Sequence, residues 1–173
     1  RRIEPGATLP VLDADGPGTV SHIWFTIATN ENYQLQRIVL RIYWDGETTP
    51  SVETPVGDFF GLGLGVYNTW QSQMLSVGND KAMNSYFPMP FGRHARITIT
   101  NEGKQPVGDF YYNIDYRTYA RPLAAGTLYF HAQYRPAPPN PGVRNDWLRN
   151  QDPSKNPNLT GEPNYVWTET QRH

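Results

Sequence analysis

The sequence predicts an all-β fold, an antiparallel β-sandwich of jelly-roll type with long irregular loops. Three observations carry that expectation. Apolar and polar residues alternate with a period of two over several short runs. No run keeps a helical period for three turns. Glycine (15) and proline (16) are plentiful while charged residues make up only 18%, a balance that suits short strands joined by tight turns.

Taken in order, Gly16-Pro17-Gly18 punctuates the start. Residues 19–29 alternate, with Ile23, Phe25 and Ile27 on one face and Trp24 and Thr26 on the other. Residues 30–36 are polar and read as a loop. Residues 37–44 form a second strand with Ile38, Leu40 and Ile42 inward, closed by the hairpin signal Asp45-Gly46. Residues 51–55 return. Residues 62–82 are irregular and rich in Gly, Asn, Ser and Gln, and a loop that long is usually functional or an interface. Pro88 and Pro90 restrict residues 85–91 to an edge or a bulged corner. Residues 94–100 alternate again, with Ala95, Ile97 and Ile99 on one side. Asn101-Glu102-Gly103-Lys104 is a turn, and residues 107–117 form a long aromatic strand. Residues 127–135 complete the set, with Leu128, Phe130, Ala132 and Tyr134 on one face and Tyr129, His131, Gln133 and Arg135 on the other. The expected core is Ile23, Phe25, Ile38, Leu40, Ile42, Ile97, Ile99, Leu128 and Phe130.

The domain reading is a sandwich over 1–135, an extended Pro/Asn-rich arm over 136–163 with one helical turn near 145–149, and the start of a second module over 164–173. The chain has 173 residues, enough for one sizeable domain, and opens on Arg1, which suggests a removed leader or a piece of a longer protein. A net charge of −1 gives no electrostatic case for nucleic acid or an anionic membrane. No apolar run is long enough to span a bilayer. With no cysteine there is no disulfide and no thiolate nucleophile, and the compartment stays open. His22, His94 and His131 lie on different expected strands without ligand spacing, so no metal or other cofactor is expected. Gly61-Leu62-Gly63-Leu64-Gly65 lacks the helix that a phosphate loop needs, and there is no Gly-x-Ser-x-Gly elbow.

Three sets of residues could carry chemistry. Pro55-Val56-Gly57-Asp58-Phe59-Phe60-Gly61 sets a carboxylate beside two aromatics between glycines. One reading is a stiff loop offering stacking area and a hydrogen-bonding carboxylate to a sugar ring. The other is a strand end whose phenylalanines plug the core and whose Asp caps a turn. His131, Gln133 and Arg135 share a face, either the floor of a sugar site or a solvated sheet face. Asp109, Tyr111, Asn113 and Asp115 form another polar face with the same two readings. A carboxylate-pair glycosidase needs two acidic groups about 5 to 10 Å apart, and sequence places no two of them across a substrate.

Six stretches in order resemble one family: Gly16-Pro17-Gly18 with His22-Ile23-Trp24; Leu40-Arg41-Ile42-Tyr43-Trp44-Asp45-Gly46-Glu47; the Asp58 stretch; Phe87-Pro88-Met89-Pro90-Phe91; Phe110-Tyr111-Tyr112-Asn113-Ile114-Asp115-Tyr116; and Phe130-His131-Ala132-Gln133-Tyr134-Arg135. The chain resembles the N-terminal half of the domain of unknown function 2961 family, classed as glycoside hydrolase family 172. Asn164-Tyr165-Val166-Trp167 resembles that family's passage into its second half.

The resemblance implies two jelly-roll modules per protomer, trimers or multiples of them, and an active site near a protomer interface. It implies retaining hydrolysis or transfer of α-fructofuranosides or arabinofuranosides, so that the partners are a furanoside oligo- or polysaccharide and the catalytic second half of the same protein. Its two catalytic glutamates lie in motifs resembling Glu-Gly-Asp and Gly-Thr-Glu-Asp-Tyr-Phe, and neither occurs here. No catalytic residue is therefore carried over. The substrate-binding candidates are Asp58, Phe59, Phe60, His131, Gln133, Arg135 and Trp24. The alternative class is a non-catalytic carbohydrate-binding or assembly β-sandwich.

Overall fold

A computed structural model describes residues 1–136. The expected arm over 136–163 and the start of a second module over 164–173 fall outside these residues, Pro136 excepted. The compact unit Arg1–Tyr134 is a β-sandwich.

The first sheet runs β1 (Thr8–Asp15), β9 (His94–Asn101), β3 (Ile38–Trp44), β4 (Val52–Pro55), β11 (Ala132–Gln133). The second runs β10 (Val107–Thr118), β2 (Gly18–Thr29), β7 (Met83–Ser85), β6 (Leu75–Val77), β5 (Trp70–Gln71), and β8 (Met89–Phe91) also pairs with β2. The chain changes sheet between β1 and β2, β2 and β3, β4 and β5, β8 and β9, β9 and β10, and β10 and β11, in jelly-roll manner. All ladders are antiparallel except the short parallel pair of β11 with β4.

The period-two pattern decides which faces meet. Ile38, Leu40 and Ile42 from β3 and Ala95, Ile97 and Ile99 from β9 are fully buried. Ile23, Phe25 and Ile27 of β2 bury their side chains from the opposite sheet. Phe25 bridges the layers, edge-on to Phe60 at 5.7 Å and tilted against Phe110 at 5.0 Å. At the far end Trp44 stacks on Phe91 at 6.3 Å, and its Nε1 donates to the Phe130 carbonyl at 2.8 Å.

Several sequence expectations are corrected. β1 was not expected; Pro10 and the register slip between Pro10 and Leu12 break its alternation, which an edge strand pairing only β9 tolerates. Residues 127–135 are not a strand throughout, because only Ala132 and Gln133 find a ladder partner. Leu128 is 84% exposed and so not core, while Phe130 is half-buried, packed on the core edge beside Phe59 and Phe87. Two four-residue helical turns, α1 (Gln34–Arg37) and α2 (Val56–Phe59), pack on each other beside β3 and β4.

Candidate functional site

Asp58 stands on α2. The amides of Phe60 and Leu62 donate to the carbonyls of Val56 and Gly57, so the strand turns into one helical turn as it leaves β4. Helical spacing puts 56, 59 and 60 on one side, and those side chains enter the core while Asp58 alone points away, half-buried. Gly57 is required here for closeness: a Cβ would sit 2.7 Å from Leu35 Cβ on α1. Gly61 has φ +74°, and a Cβ would strike the Trp70 ring.

Phe59 and Phe60 are 8% and 0% exposed, which among the described residues matches the reading in which they plug the core rather than the one in which they offer a stacking platform. Their rings pack edge-on to one another at 5.0 Å, and Phe59 also meets Phe130 at 6.3 Å. Apolar burial outweighs exposure for two adjacent rings that a helical turn can aim at one core.

The Asp58 carboxylate is different. It lies over the glycine-rich loop, where a Cβ on Gly63 would be 3.3 Å from Oδ1. Gln36 holds that loop by donating to the Gly63 carbonyl at 3.4 Å. Burial raises the Asp58 pKa above the ordinary carboxylate range, opposed only by a hydrogen bond to its own amide. Among the described residues no other donor reaches it. A half-buried carboxylate with no protein donor is left open to hydroxyl donors from a ligand or solvent.

Trp24 lies elsewhere, on the outward face of β2. It sits in register with Asn113 on β10 and Asn84 on β7. Beside it, the His22 ring bonds Asp115 Oδ2 through Nδ1 and Asn84 Oδ1 through Nε2, each at 3.0 Å. The sequence reading had Asn113 and Asp115 on one polar face. It did not bring His22, Asn84 and Tyr86 to them, because that needs the order of strands, which alternation does not encode. Next to this face a cleft of about 500 Å³ opens between Tyr67 and Lys81, whose ammonium lies 5.3 Å over the Tyr67 ring. Thr26 links face and cleft by donating to the Asp80 carbonyl at 3.4 Å.

His131, Gln133 and Arg135 are exposed. Gln133 pairs with Glu53 on β4, the strand that delivers Asp58. What fixes this tail is Asp45, in the left-handed region at φ 55°. Its carboxylate accepts from the amides of Gly92, Arg93 and His94 and from the Tyr129 hydroxyl. Burial would raise the Asp45 pKa, but the Tyr129 bond and the three amides outweigh it and hold it low.

Asp58, on the turn that follows β4, and Trp24, on β2, stand on elements of different sheets, and no hydrogen bond or ring contact joins them among the described residues. Nor do three His, Asp or Glu side chains gather there as a metal site would need. No helix of these residues is long and apolar enough to cross a membrane.

A family model described as GH172 domain-like matches residues 1–114, two thirds of the chain. A comparison with curated proteins finds no match.

Proposed function

The chain belongs to the GH172 domain-like family, so it is a glycoside-hydrolase-related module, and from that premise we propose that it is the N-terminal half of a retaining furanosidase. It acts on α-fructofuranosides or arabinofuranosides. This half supplies pocket walls and assembly surface, and the two catalytic glutamates, about 5–5.5 Å apart in a retaining site, come from the second half. The assembly is a homotrimer or a multiple of it.

The observation that supports this reading is the Asp58 carboxylate, half-buried beside the glycine-rich loop and bonded by no other side chain or amide among the described residues. A sugar edge would supply hydroxyl donors, and charge-assisted bonds of this kind are worth about 1.5–3 kcal/mol each. A structural carboxylate would have its donors already, as Asp45 has.

The sign of the pKa shift makes the test sharp. A carboxyl raised in the folded state binds more protons there than in the unfolded chain, so it detracts from stability above its folded pKa and ceases to as pH falls. Removing the charge should therefore not harm the fold at neutral pH. In the full-length assembly, Asp58→Asn is expected to melt at or above the wild-type temperature at pH 7. It should bind furanoside ten- to a hundredfold more weakly. Lower melting with unchanged sugar affinity would remove Asp58 from the pocket.

A further inference from the structure

We propose that the outward face of the β10–β2–β7 strip is a second carbohydrate-binding surface, one that seats a neutral oligosaccharide on Trp24. The proposal rests on the glycan reading above but concerns a different face from that of Asp58.

The row runs across three strands in register, Asn84, Trp24 and Asn113, so consecutive side chains stand about 4.8 Å apart. Trp24 is half-buried on the outward face of β2. A sugar ring has one C–H face that covers such a ring and a hydroxyl edge that needs donors and acceptors on either side.

The flanking groups are already oriented. Asn84 is tied through Oδ1 to His22 at 3.0 Å, and Asn113 through Nδ2 to Asp115 Oδ1 at 3.0 Å. That leaves Asn113 Oδ1 as an acceptor and one polar atom of the Asn84 amide, which one depending on the His22 tautomer, with no bond to either among the described residues. The His22 ring is itself held by Asp115 and by Tyr86, stacked at 4.7 Å and 7°. Side chains fixed before a ligand arrives lose less entropy when it binds.

The chemistry favours a sugar over a protein partner. A protein interface of useful strength has an apolar centre, whereas here the indole is ringed by two amides, a carboxylate and an imidazole, and the exposed aromatics beside it, Tyr86 and Tyr111, each carry a hydroxyl. None of these residues is a lysine or arginine, so an anionic glycan would gain little.

Affinity electrophoresis of the full 173-residue chain through gels carrying linear arabinan or inulin tests the idea, with the melting temperature measured in parallel. Retardation by at least one polymer is expected. Trp24→Ala should weaken it at least tenfold, and Asn113→Ala, an exposed position that leaves folding intact, should weaken it too. Absence of retardation of the wild-type chain would overturn the proposal. So would unchanged retardation of both variants, or a change in oligomeric state with sugar binding intact, which would mean a protein covers this face. Asp58→Asn in the same gels reports separately on the other corner: loss there with none in the Trp24 and Asn113 variants would leave the furanosidase reading standing and this one fallen.

Discussion

Asp58 and Asp45 are two carboxylates of one chain with opposite electrostatic fates. Asp45 spends its lone pairs on three backbone amides and a phenol; Asp58 has only its own amide. The first is a fold residue. Its pKa is held below the ordinary range, so its contribution is fully present above the unfolded pKa and fades as pH falls through the folded one. Asp45→Ala should lose about 1–3 kcal/mol at pH 7 by orphaning those donors. The deficit relative to wild type should shrink in acid unfolding curves taken below the carboxylate range. An equal deficit at every pH would mean that charge plays no part. Asn101 makes a neutral counterpart. It is buried, donates to the carbonyls of Ile3 and Gln105, and accepts from the Gly103 amide. Asn101→Leu should cost at least as much as Asp45→Ala in urea unfolding at neutral pH, because three backbone groups lose their partner at once.

Among elements, the tightest approach is that of α2 to α1 through Gly57. An added methyl would meet Leu35 Cβ at 2.7 Å and the Leu35 carbonyl at 2.9 Å, and backbone cannot give way as a side-chain tip can. Gly57→Ala should therefore destabilise by about 1–3 kcal/mol and shift Asp58, lowering both the melting temperature and sugar affinity. If only the melting temperature falls, α2 does not position the carboxylate. The elements also show what the sequence could reveal. β2, β3, β9 and β10 were legible because one face of each meets a continuous core, which imposes alternation. β1 was not, because an edge strand tolerates Pro10 and a bulge. Residues 127–135 misled for the converse reason. Leu128, Phe130, Ala132 and Tyr134 alternate correctly, yet a pattern of sides is not a partner, and only two residues there pair. At Asp58 the carboxylate's outward direction could be read from its place between apolar residues. The fate of Phe59 and Phe60 could not, because a strand end and a helical turn send adjacent rings to different places.

For the whole molecule, the proposed division of labour has a direct consequence. The purified 173-residue chain should not turn over an aryl arabinofuranoside, since a retaining mechanism needs two carboxylates about 5–5.5 Å apart and no motif-matched glutamate pair occurs in its sequence. Turnover above the uncatalysed rate would overturn that assignment and direct mutagenesis to Asp58, Asp109 and Asp115. Leu64 is 89% and Leu128 84% exposed, with Val66 also in solvent, and the proposed second half would be expected to cover such side chains. Sedimentation of the chain with and without its second half would show whether it does.

The short helical turn around Asp58 also sets how this protein could be re-engineered or diverge. Three of its four residues, Val56, Gly57 and Phe59, are buried, as is Phe60 after it, and Gly61 is held by Trp70. Randomising the whole stretch would mostly return chains that do not fold. A library confined to Asp58, Gly63, Leu64 and Gln36 varies only the side that faces outward. New specificities at this corner should therefore arise by few substitutions at few positions, with the aromatic scaffold inherited unchanged.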